Sequence, residues 1–150
     1  GYNAIKLAVR GDDSAQSIDD MQGRKVCIEY GTVLEDALNK INESFPEDKK
    51  IKLVTTEGNL YDELAVGHYD AFPITVLSFD QINKKGDYHF KLIGDPILID
   101  KNAFPFSKDA DPEMLRAVNA AIEEMQKDGT MSKLSMQYFG RDISKEEIRE

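Results

Sequence analysis

The sequence has few of the residues that build disulfide frameworks and zinc sites. One cysteine, Cys27, occurs among 150 residues, so no internal disulfide can form. Its apolar neighbours predict a buried thiol that fills core space. The two histidines, His68 and His89, lie apart from any cluster with zinc-ligand spacing, which favours surface positions for both. We therefore expect neither a metal nor another cofactor.

Basic residues and long apolar runs are also scarce. The 19 Lys and Arg are outnumbered by 28 Asp and Glu, which gives a net charge of -9 with the two signs interspersed. Nucleic acid is not an expected partner, because neutralising phosphates needs clustered Lys and Arg. No stretch approaches the roughly 20 apolar residues that span a bilayer. The first residues lack a signal-peptide pattern, so we expect that an exported protein would have lost that segment.

Strand and helix patterns alternate three times over the first 85 residues, after an initial strand at 4–9. The predicted strands are 25–30, 51–55 and 69–74, and the predicted helices are 33–44, a short helix from Leu60 closed by Gly67, and 76–84. A short helical turn at 17–21 precedes the first pair. The alternation predicts an α/β fold with a mostly parallel sheet flanked by helices.

The last third changes character. Strands are predicted at 90–93 and 96–99, followed by an extended segment at 103–106. Asp111-Pro112 predicts the start of a helix that ends at Gly129, and a second helix runs from Thr130 to Gly140. The first of these carries an apolar face made of Leu115, Val118, Ile122 and Met125. The charged tail, 141–150, is predicted to fray.

The most informative local pattern is a strand followed by Tyr30-Gly31-Thr32 and then by a helix. Thr32 and Glu35 have the spacing of a capping box. The first amides of such a helix point outward and can receive an anion such as a ligand carboxylate. The alternative is that Gly31 only makes the turn and Thr32 only caps. Thr75, at the end of the third strand, likewise could contact a ligand or cap the next helix.

Nothing in the sequence predicts an enzyme. The motifs G-x-S-x-G, H-E-x-x-H, G-x-G-x-x-G and the P-loop are all absent. The carboxylates of Glu29, Glu57 and Asp70 are predicted to be mostly solvated surface groups.

An ordered set of segments resembles the polar amino-acid branch of extracytoplasmic solute-binding proteins, family 3, which serve ATP-binding cassette (ABC) importers. The set covers residues from about 4 to 140. Its segments are Ser17-Ile18-Asp19-Asp20-Met21-Gln22-Gly23-Arg24-Lys25-Val26, Gly31-Thr32, Gly67-His68-Tyr69-Asp70-Ala71, Leu92-Ile93-Gly94-Asp95-Pro96, and Gly129-Thr130 through Tyr138-Phe139-Gly140.

The resemblance implies a periplasmic-binding-protein-like fold of type II, a clamp of two lobes. In that scheme 1–13 is a crossover strand, 14–96 the second α/β lobe and 97–106 the return crossover strand. Residues 107–140 are helices of the first lobe, and 141–150 is a flexible tail. The N-terminal part of the first lobe is missing from this sequence, so we expect the chain by itself to bind free ligand weakly or not at all.

Ligand-binding residues follow from the resemblance at matching positions: Glu29, Tyr30, Gly31, Thr32, Val33, Ile74 and Thr75. The amides of Thr32 and Val33 would meet the ligand's carboxylate, and Glu29 would point into the pocket. Thr75 stands where the family has an ammonium-binding aspartate, whereas the matching Asp70 is expected to be structural. We predict a ligand with a positive or donor-rich group, which Glu29 would bind.

The resemblance also implies the partners and the location. These are an amino-acid-like solute, an ABC permease in the membrane, and the periplasm or a lipoprotein at the cell surface. The apolar face of the first C-terminal helix predicts a homodimer, and exchange of the C-terminal helices is one way to form it. Three alternatives remain open at this point: the sensing lobe of a membrane receptor, a dehydratase-type enzyme on the same fold, and the sensor domain of a transcription regulator.

Overall fold

The computed structural model describes residues 1–146 of the chain. These residues divide into two compact units, one formed by Ala4–Ile99 and the other by Gly1–Asn3 together with 100–146. Both boundaries between the units fall within strands, one in β1 (Tyr2–Arg10) and the other in β5 (Phe90–Lys101). Among the described residues, no helix is both long and apolar enough to cross a membrane.

The larger unit is built on three short parallel strands: β2 (Lys25–Cys27), β3 (Lys52–Val54) and β4 (Phe72–Thr75). Val26 pairs in parallel with Leu53 of β3 and forms a parallel bridge to Ala71, just before β4. The prediction of a mostly parallel sheet is confirmed for these three strands. Strand β1 differs, because it runs antiparallel to β4 with Ile5 opposite Thr75, and β5 lies on its other side.

Each parallel strand is followed by a helix: α1 (Val33–Asn42), α2 (Leu60–Ala65) and α3 (Val76–Lys85). One-turn 3-10 helices lie at Ile18–Met21 and Glu47–Lys49. The predicted bounds of these helices differ from the observed ones by two residues or less. Helix α1 ends before Phe45-Pro46, where proline cannot continue a helix.

Two apolar clusters fill the space between sheet and helices. One packs the 3-10 turn and α1 against β1 and β2, through Leu7, Met21, Val26 and Leu38. The other packs α2 and α3 against β4, and in it lie Leu64, Phe72, Phe79 and Phe90. The thiol of Cys27 is buried in this second cluster, as predicted, and burial raises its pKa.

The prediction of two strands at 90–93 and 96–99 was wrong, because β5 is one continuous strand over both. Gly94 makes this possible by adopting a φ of 64° in mid-strand, while its amide donates to the carbonyl of Gln16 at 2.9 Å. A Cβ at this position would lie 3.4 Å from the backbone of Ser17 and Ile18. The glycine therefore lets the strand pass close to the 3-10 turn.

The smaller unit carries the two C-terminal helices, α4 (Pro112–Lys127) and α5 (Thr130–Phe139). Asp111 caps α4 by accepting from the amide of Glu113 at 2.9 Å, as predicted. The segment 103–106, predicted to be extended, forms neither a helix nor a strand.

Hydrogen bonds hold the chain beyond α5 as far as it is described, which argues against free fraying of 141–146. Ser135 donates to the carbonyl of Arg141 at 2.6 Å and accepts from the amide of Ile143 at 2.7 Å. The carbonyl of Ile143 in turn accepts from the amide of Tyr2 at 2.8 Å. The rest of the predicted tail, 147–150, lies outside the described residues.

Candidate functional site

The carboxyl ends of β2, β3 and β4 lie along one edge of the larger unit. The amide of Cys27 donates to the carbonyl of Ala71, and that of Ile28 donates to Val54, both at 2.8 Å. Each strand is followed by the N-cap residue of the next helix: Thr32, Asn59 and Thr75. Open α/β sheets place their ligand crevices at such an edge. The edge is therefore the candidate site.

The N-terminus of α1 differs from the predicted capping box. Thr32 turns its hydroxyl away from the helix and donates to the carbonyl of Glu29 at 2.8 Å. The carboxylate of Glu35 accepts from the amide of Gly31 at 2.7 Å, one residue before the predicted partner. Gly31 has a φ of 76°, which glycine adopts without strain. The side chain of Thr32 therefore caps none of the first amides of α1.

The N-termini of α2 and α3 are capped by their own side chains. Asn59 accepts from the amides of Tyr61 and Asp62, at 3.0 and 3.1 Å. Thr75 accepts from the amide of Ser78 at 3.2 Å and donates to the Ser78 hydroxyl at 2.8 Å. Of the three helices that begin at this edge, α1 alone has an N-cap side chain that is directed elsewhere.

Most of the predicted site residues lie at the surface of this edge. Glu29 and Gly31 are exposed, Thr32 is half-buried, and Tyr30 and Val33 are 56% and 64% exposed. The hydroxyl of Tyr30 donates to the carbonyl of Leu53 at 3.1 Å, which ties the loop after β2 to β3.

Two residues differ from the predicted arrangement. Ile74 was predicted to bind ligand but has a buried side chain, and Glu57 was not predicted but is exposed at the same edge. The side chain of Ile74 is buried in the second apolar cluster, so only its backbone is placed to reach the edge. Glu57 was not among the predicted site residues, but it follows β3 and is exposed. Its position after a strand is the signal that could have identified it.

An ion cluster lies where β2 and β4 begin, at the end of those strands away from the candidate site. Arg24 donates to Asp13 through both terminal nitrogens, with Nη1 to Oδ1 at 3.0 Å, and reaches Asp70 at 3.2 Å. Arg10 donates to the carbonyls of Leu64 and Tyr69, at 3.0 and 2.9 Å. Asp70 also accepts from the amide of Lys25 at 3.0 Å.

The cluster keeps both carboxylates ionised. The hydrogen bonds from Arg24 lower the pKa of Asp13 from 3.8 to about 2, although burial opposes them. Burial also raises the pKa of Asp70, but the Lys25 amide and Arg24 outweigh it and the net shift is downward. These bonds connect β1, β2 and β4, which supports the structural role expected for Asp70.

The histidines and carboxylates form no metal site in the part of the chain that the structure describes. His68 and His89 are exposed, as predicted, and Nδ1 of His68 lies 3.0 Å from a carboxylate oxygen of Glu63.

Comparison with known proteins gives a consistent result. Residues 2–141 match the family model of bacterial extracellular solute-binding proteins, family 3. A Bacillus subtilis (strain 168) protein, "Probable amino-acid-binding protein YxeM", is 40% identical over 153 residues, covering 97% of this chain and 55% of its own length. A Vibrio harveyi protein, PatH, whose name describes an amino-acid ABC transporter-binding protein, is 34% identical, covering 95% of this chain and 57% of its own length.

A solved structure shares the fold. It is that of the "probable amino-acid ABC transporter extracellular-binding protein ytmK" from Bacillus subtilis. The TM-score is 0.78 at 22% identity, with 93% of this chain and 60% of the other covered. The likeness shows the type of fold, an α/β lobe of a periplasmic binding protein. In all three comparisons this chain spans between half and two thirds of the other protein.

Proposed function

The chain belongs to the bacterial extracellular solute-binding proteins of family 3, and from this premise we propose that it binds an amino acid or amino-acid-like solute for delivery to an ABC permease. Ligand would bind at the edge formed by the ends of β2, β3 and β4. The names of the two relatives, an amino-acid-binding protein and an amino-acid ABC transporter-binding protein, support the ligand class.

The observation that carries the proposal is the N-terminus of α1. The hydroxyl of Thr32 is directed to Glu29, so no N-cap side chain occupies the first amides of α1, and the chain presents the amides of Thr32 and Val33 at that helix end. The positive end of the helix dipole lies behind these amides, and together they suit a carboxylate. No covalent step is required of a protein that binds and releases its ligand.

Glu29 supports a ligand that also carries a positive or donor-rich group. It lies three residues before the α1 cap and is exposed. A ligand with its carboxylate at Thr32 and its cationic group at Glu29 would be bound as a zwitterion. Glu57, exposed at the end of the neighbouring strand β3, adds negative charge to the same edge.

The use of Thr75 as a helix cap also supports Glu29 as the residue that binds the ligand's cationic group. Its hydroxyl already accepts from Ser78 and donates to Ser78. A threonine used as a helix cap cannot offer the charge of a carboxylate to an ammonium group. In this proposal the role of the family's aspartate therefore passes to Glu29.

The wider setting is proposed from the same family membership. The protein would act outside the cytoplasm, in the periplasm or as a cell-surface lipoprotein, and would dock on a membrane permease. The likeness to binding proteins points away from an enzyme, and neither the dehydratase nor the sensor alternative gains support from the relatives. The predicted homodimer stays a prediction.

An NMR titration tests the proposed site directly, since it detects weak binding. The 15N-labelled chain would be titrated with single amino acids, cystine and basic amino acids included, up to about ten millimolar. We expect amide shifts at Gly31, Thr32 and Val33. The amides of Lys25 and Ala71, at the opposite end of the strands, serve as internal controls and should stay in place.

Glu29→Gln separates the two parts of the proposal. If Glu29 binds the cationic group, the variant weakens binding of all the amino acids tested, basic ones included, while Thr32 and Val33 still respond to the carboxylate. The matched control is Glu43→Gln, which changes an exposed glutamate at the other end of α1. Equal shifts at α1 and at the control amides of Lys25 and Ala71, or no shift with any ligand, would contradict the proposed site.

A further inference from the structure

Residues 29–32 form the α1 loop, which leads from β2 into α1 and carries the first part of the candidate site. Glu29, Tyr30 and Gly31 are exposed, so burial in the core contributes little to fixing the loop. A binding loop gains from being fixed in advance, because a backbone that is already in place loses no further conformational freedom when the ligand binds. The hydrogen bonds that hold this loop therefore affect how well it can bind.

Two of these bonds are made by hydroxyl groups of the loop itself. The hydroxyl of Thr32 donates to the carbonyl of Glu29 at 2.8 Å, which closes the loop on itself. The hydroxyl of Tyr30 donates to the carbonyl of Leu53 at 3.1 Å, which ties the loop to β3. Neither bond restrains the backbone of the glycine between them.

A third bond joins that glycine to the first turn of α1. The amide of Gly31 donates to the carboxylate of Glu35 at 2.7 Å. Gly31 has a φ of 76°, and a Cβ there would meet no atom within 4 Å, so the position needs glycine for its conformation and not for space. A hydrogen bond to an ionised carboxylate is about twice as strong as one between neutral groups. Glu35 therefore restrains the loop residue with the greatest conformational freedom.

Glu35 lies beside the proposed carboxylate site as well. It is the half-buried third residue of α1, and the amides of Thr32 and Val33 directly follow the Gly31 amide that it binds. We infer that Glu35 is a positioning residue of the candidate site. By binding the Gly31 amide it fixes the loop before ligand arrives and leaves the next two amides for the two oxygens of a ligand carboxylate. The inference rests on the proposed function and adds a residue to it.

The charge of Glu35 separates this role from direct binding. A carboxylate repels the carboxylate of a ligand, so Glu35 does not bind that group itself. Its negative charge weakens binding at the neighbouring amides, whereas its hold on Gly31 strengthens binding by fixing them. The two effects have opposite signs, so substitutions that remove the charge with and without the hydrogen bond can distinguish them.

A purely structural role for Glu35 is the alternative. An acidic residue in the first turn of a helix stabilises the helix through its dipole, whatever else it contacts. Asp36 provides the comparison, because it is an exposed acidic residue in the same turn. The contact with the Gly31 amide is what Glu35 adds to this shared effect.

Two neutral substitutions test the inference. Glu35→Gln removes the charge but keeps an oxygen that can accept from the Gly31 amide, whereas Glu35→Ala removes both. The 15N-labelled 150-residue chain would be titrated with L-arginine, which carries a carboxylate and cationic groups, and with acetate, which carries a carboxylate alone. Glu35→Ala should have a dissociation constant at least about five-fold higher than that of Glu35→Gln, since ordering the backbone of one residue has a cost of this size.

Glu35→Gln should bind both probes as tightly as the wild type or up to about three-fold more tightly, because a weak repulsion is removed. Spectra without ligand give an independent readout of the contact. The Gly31 amide should move upfield and exchange faster with water in Glu35→Ala, and should move less in Glu35→Gln.

Asp36→Asn and Asp36→Ala are the matched controls, since they remove a charge from the same turn without touching the loop contact. They should bind each probe with equal dissociation constants and leave the Gly31 amide in place. Urea unfolding checks that all four variants remain folded at the titration conditions.

Either of two results overturns the inference while the proposed function stands. A Gly31 amide that moves no further in Glu35→Ala than in Glu35→Gln would mean that the contact does not form in solution. Equal dissociation constants for these two variants would mean that the loop is positioned without Glu35. A wild-type chain whose Thr32 and Val33 amides respond to neither probe would overturn the proposed function, and the inference with it.

Discussion

Arg24 holds Asp13 through two hydrogen bonds, although eleven residues separate them along the chain. Nη1 of Arg24 donates to Oδ1 of Asp13 at 3.0 Å, and Nη2 contacts the other carboxylate oxygen. The Asp13 side chain is only 6% exposed. Oδ1 also accepts from the amide of Ala15 at 2.9 Å. The pair fixes the turn after β1 against the start of β2.

This pair predicts acid sensitivity with a defined sign. The pKa of Asp13 is lowered from 3.8 to about 2, so its charged form is favoured in the folded state. The stabilisation is fully present above about pH 5, where Asp13 of the unfolded chain is also ionised, and is lost as the pH falls through 3.8 towards 2. By linkage it amounts to at most about 2 kcal/mol.

Urea unfolding between pH 2 and 7 measures this effect. Asp13→Asn should lower the free energy of unfolding at pH 7 by about 2 kcal/mol and flatten its fall between pH 4 and 2. Asp12→Asn, at a neighbouring exposed carboxylate, is the control and should keep the wild-type profile. If Asp13→Asn shows the same acid profile as the wild type, another group causes the sensitivity.

Asn42 joins the end of α1 to the strand region that follows it. Its side chain donates to the carbonyl of Ile51 at 2.9 Å and accepts from the amide of Ile51 at 2.7 Å, and it is 7% exposed. Asn42→Ala leaves both backbone groups of Ile51 buried without these partners. We expect a loss of about 2 to 4 kcal/mol, since each such group costs about 1 to 3 kcal/mol.

Thermal and urea unfolding of Asn42→Ala and Asn39→Ala compare a buried with an exposed asparagine on the same helix. Asn39 is exposed, so its replacement should change stability by no more than about 0.5 kcal/mol. Similar effects of the two variants would show that the paired bonds to Ile51 add little to stability.

The two threonine N-caps at the candidate site should respond differently to substitution. Thr75→Ala removes the acceptor for the Ser78 amide and should destabilise the chain by about 1 kcal/mol. Thr32→Ala removes an exposed bond to the Glu29 carbonyl but no helix cap, so the loss should be smaller. Chemical unfolding measures both, and a larger loss for Thr32→Ala would contradict the observed direction of its hydroxyl.

Local patterns predicted the order and type of the elements well. The Asn59 and Asp111 caps, the helix ends at Gly129 and Gly140, and the strand–helix alternation all depend on residues close in sequence. The exposure of Glu29 and Tyr30 also follows from their place after a strand. Such features are decided within one helical turn or one strand end, so the sequence contains the required information.

Other features could not be read from the sequence. The spacing of Thr32 and Glu35 matches a capping box, but the Thr32 hydroxyl donates to the Glu29 carbonyl and the Glu35 carboxylate accepts from the Gly31 amide. These partners depend on the φ of Gly31 and on the position of the Glu29 carbonyl. A two-residue pattern cannot distinguish these geometries. The continuity of β5 through Gly94 likewise depends on the close approach of Ser17, which is distant in sequence.

The sequence by itself determined the α/β class, the family resemblance and the segment from Glu29 to Val33 as the candidate site. Only the tertiary structure decided that β1 runs antiparallel to β4, that Arg10, Asp13, Arg24 and Asp70 form one cluster, and that the side chain of Ile74 lies in the core. The physical reason is the range of the interactions. Capping and periodicity act over three or four residues, whereas strand pairing joins residues as distant as Ile5 and Thr75, and the ion cluster joins Arg10 to Asp70. These partners meet only once the chain has folded.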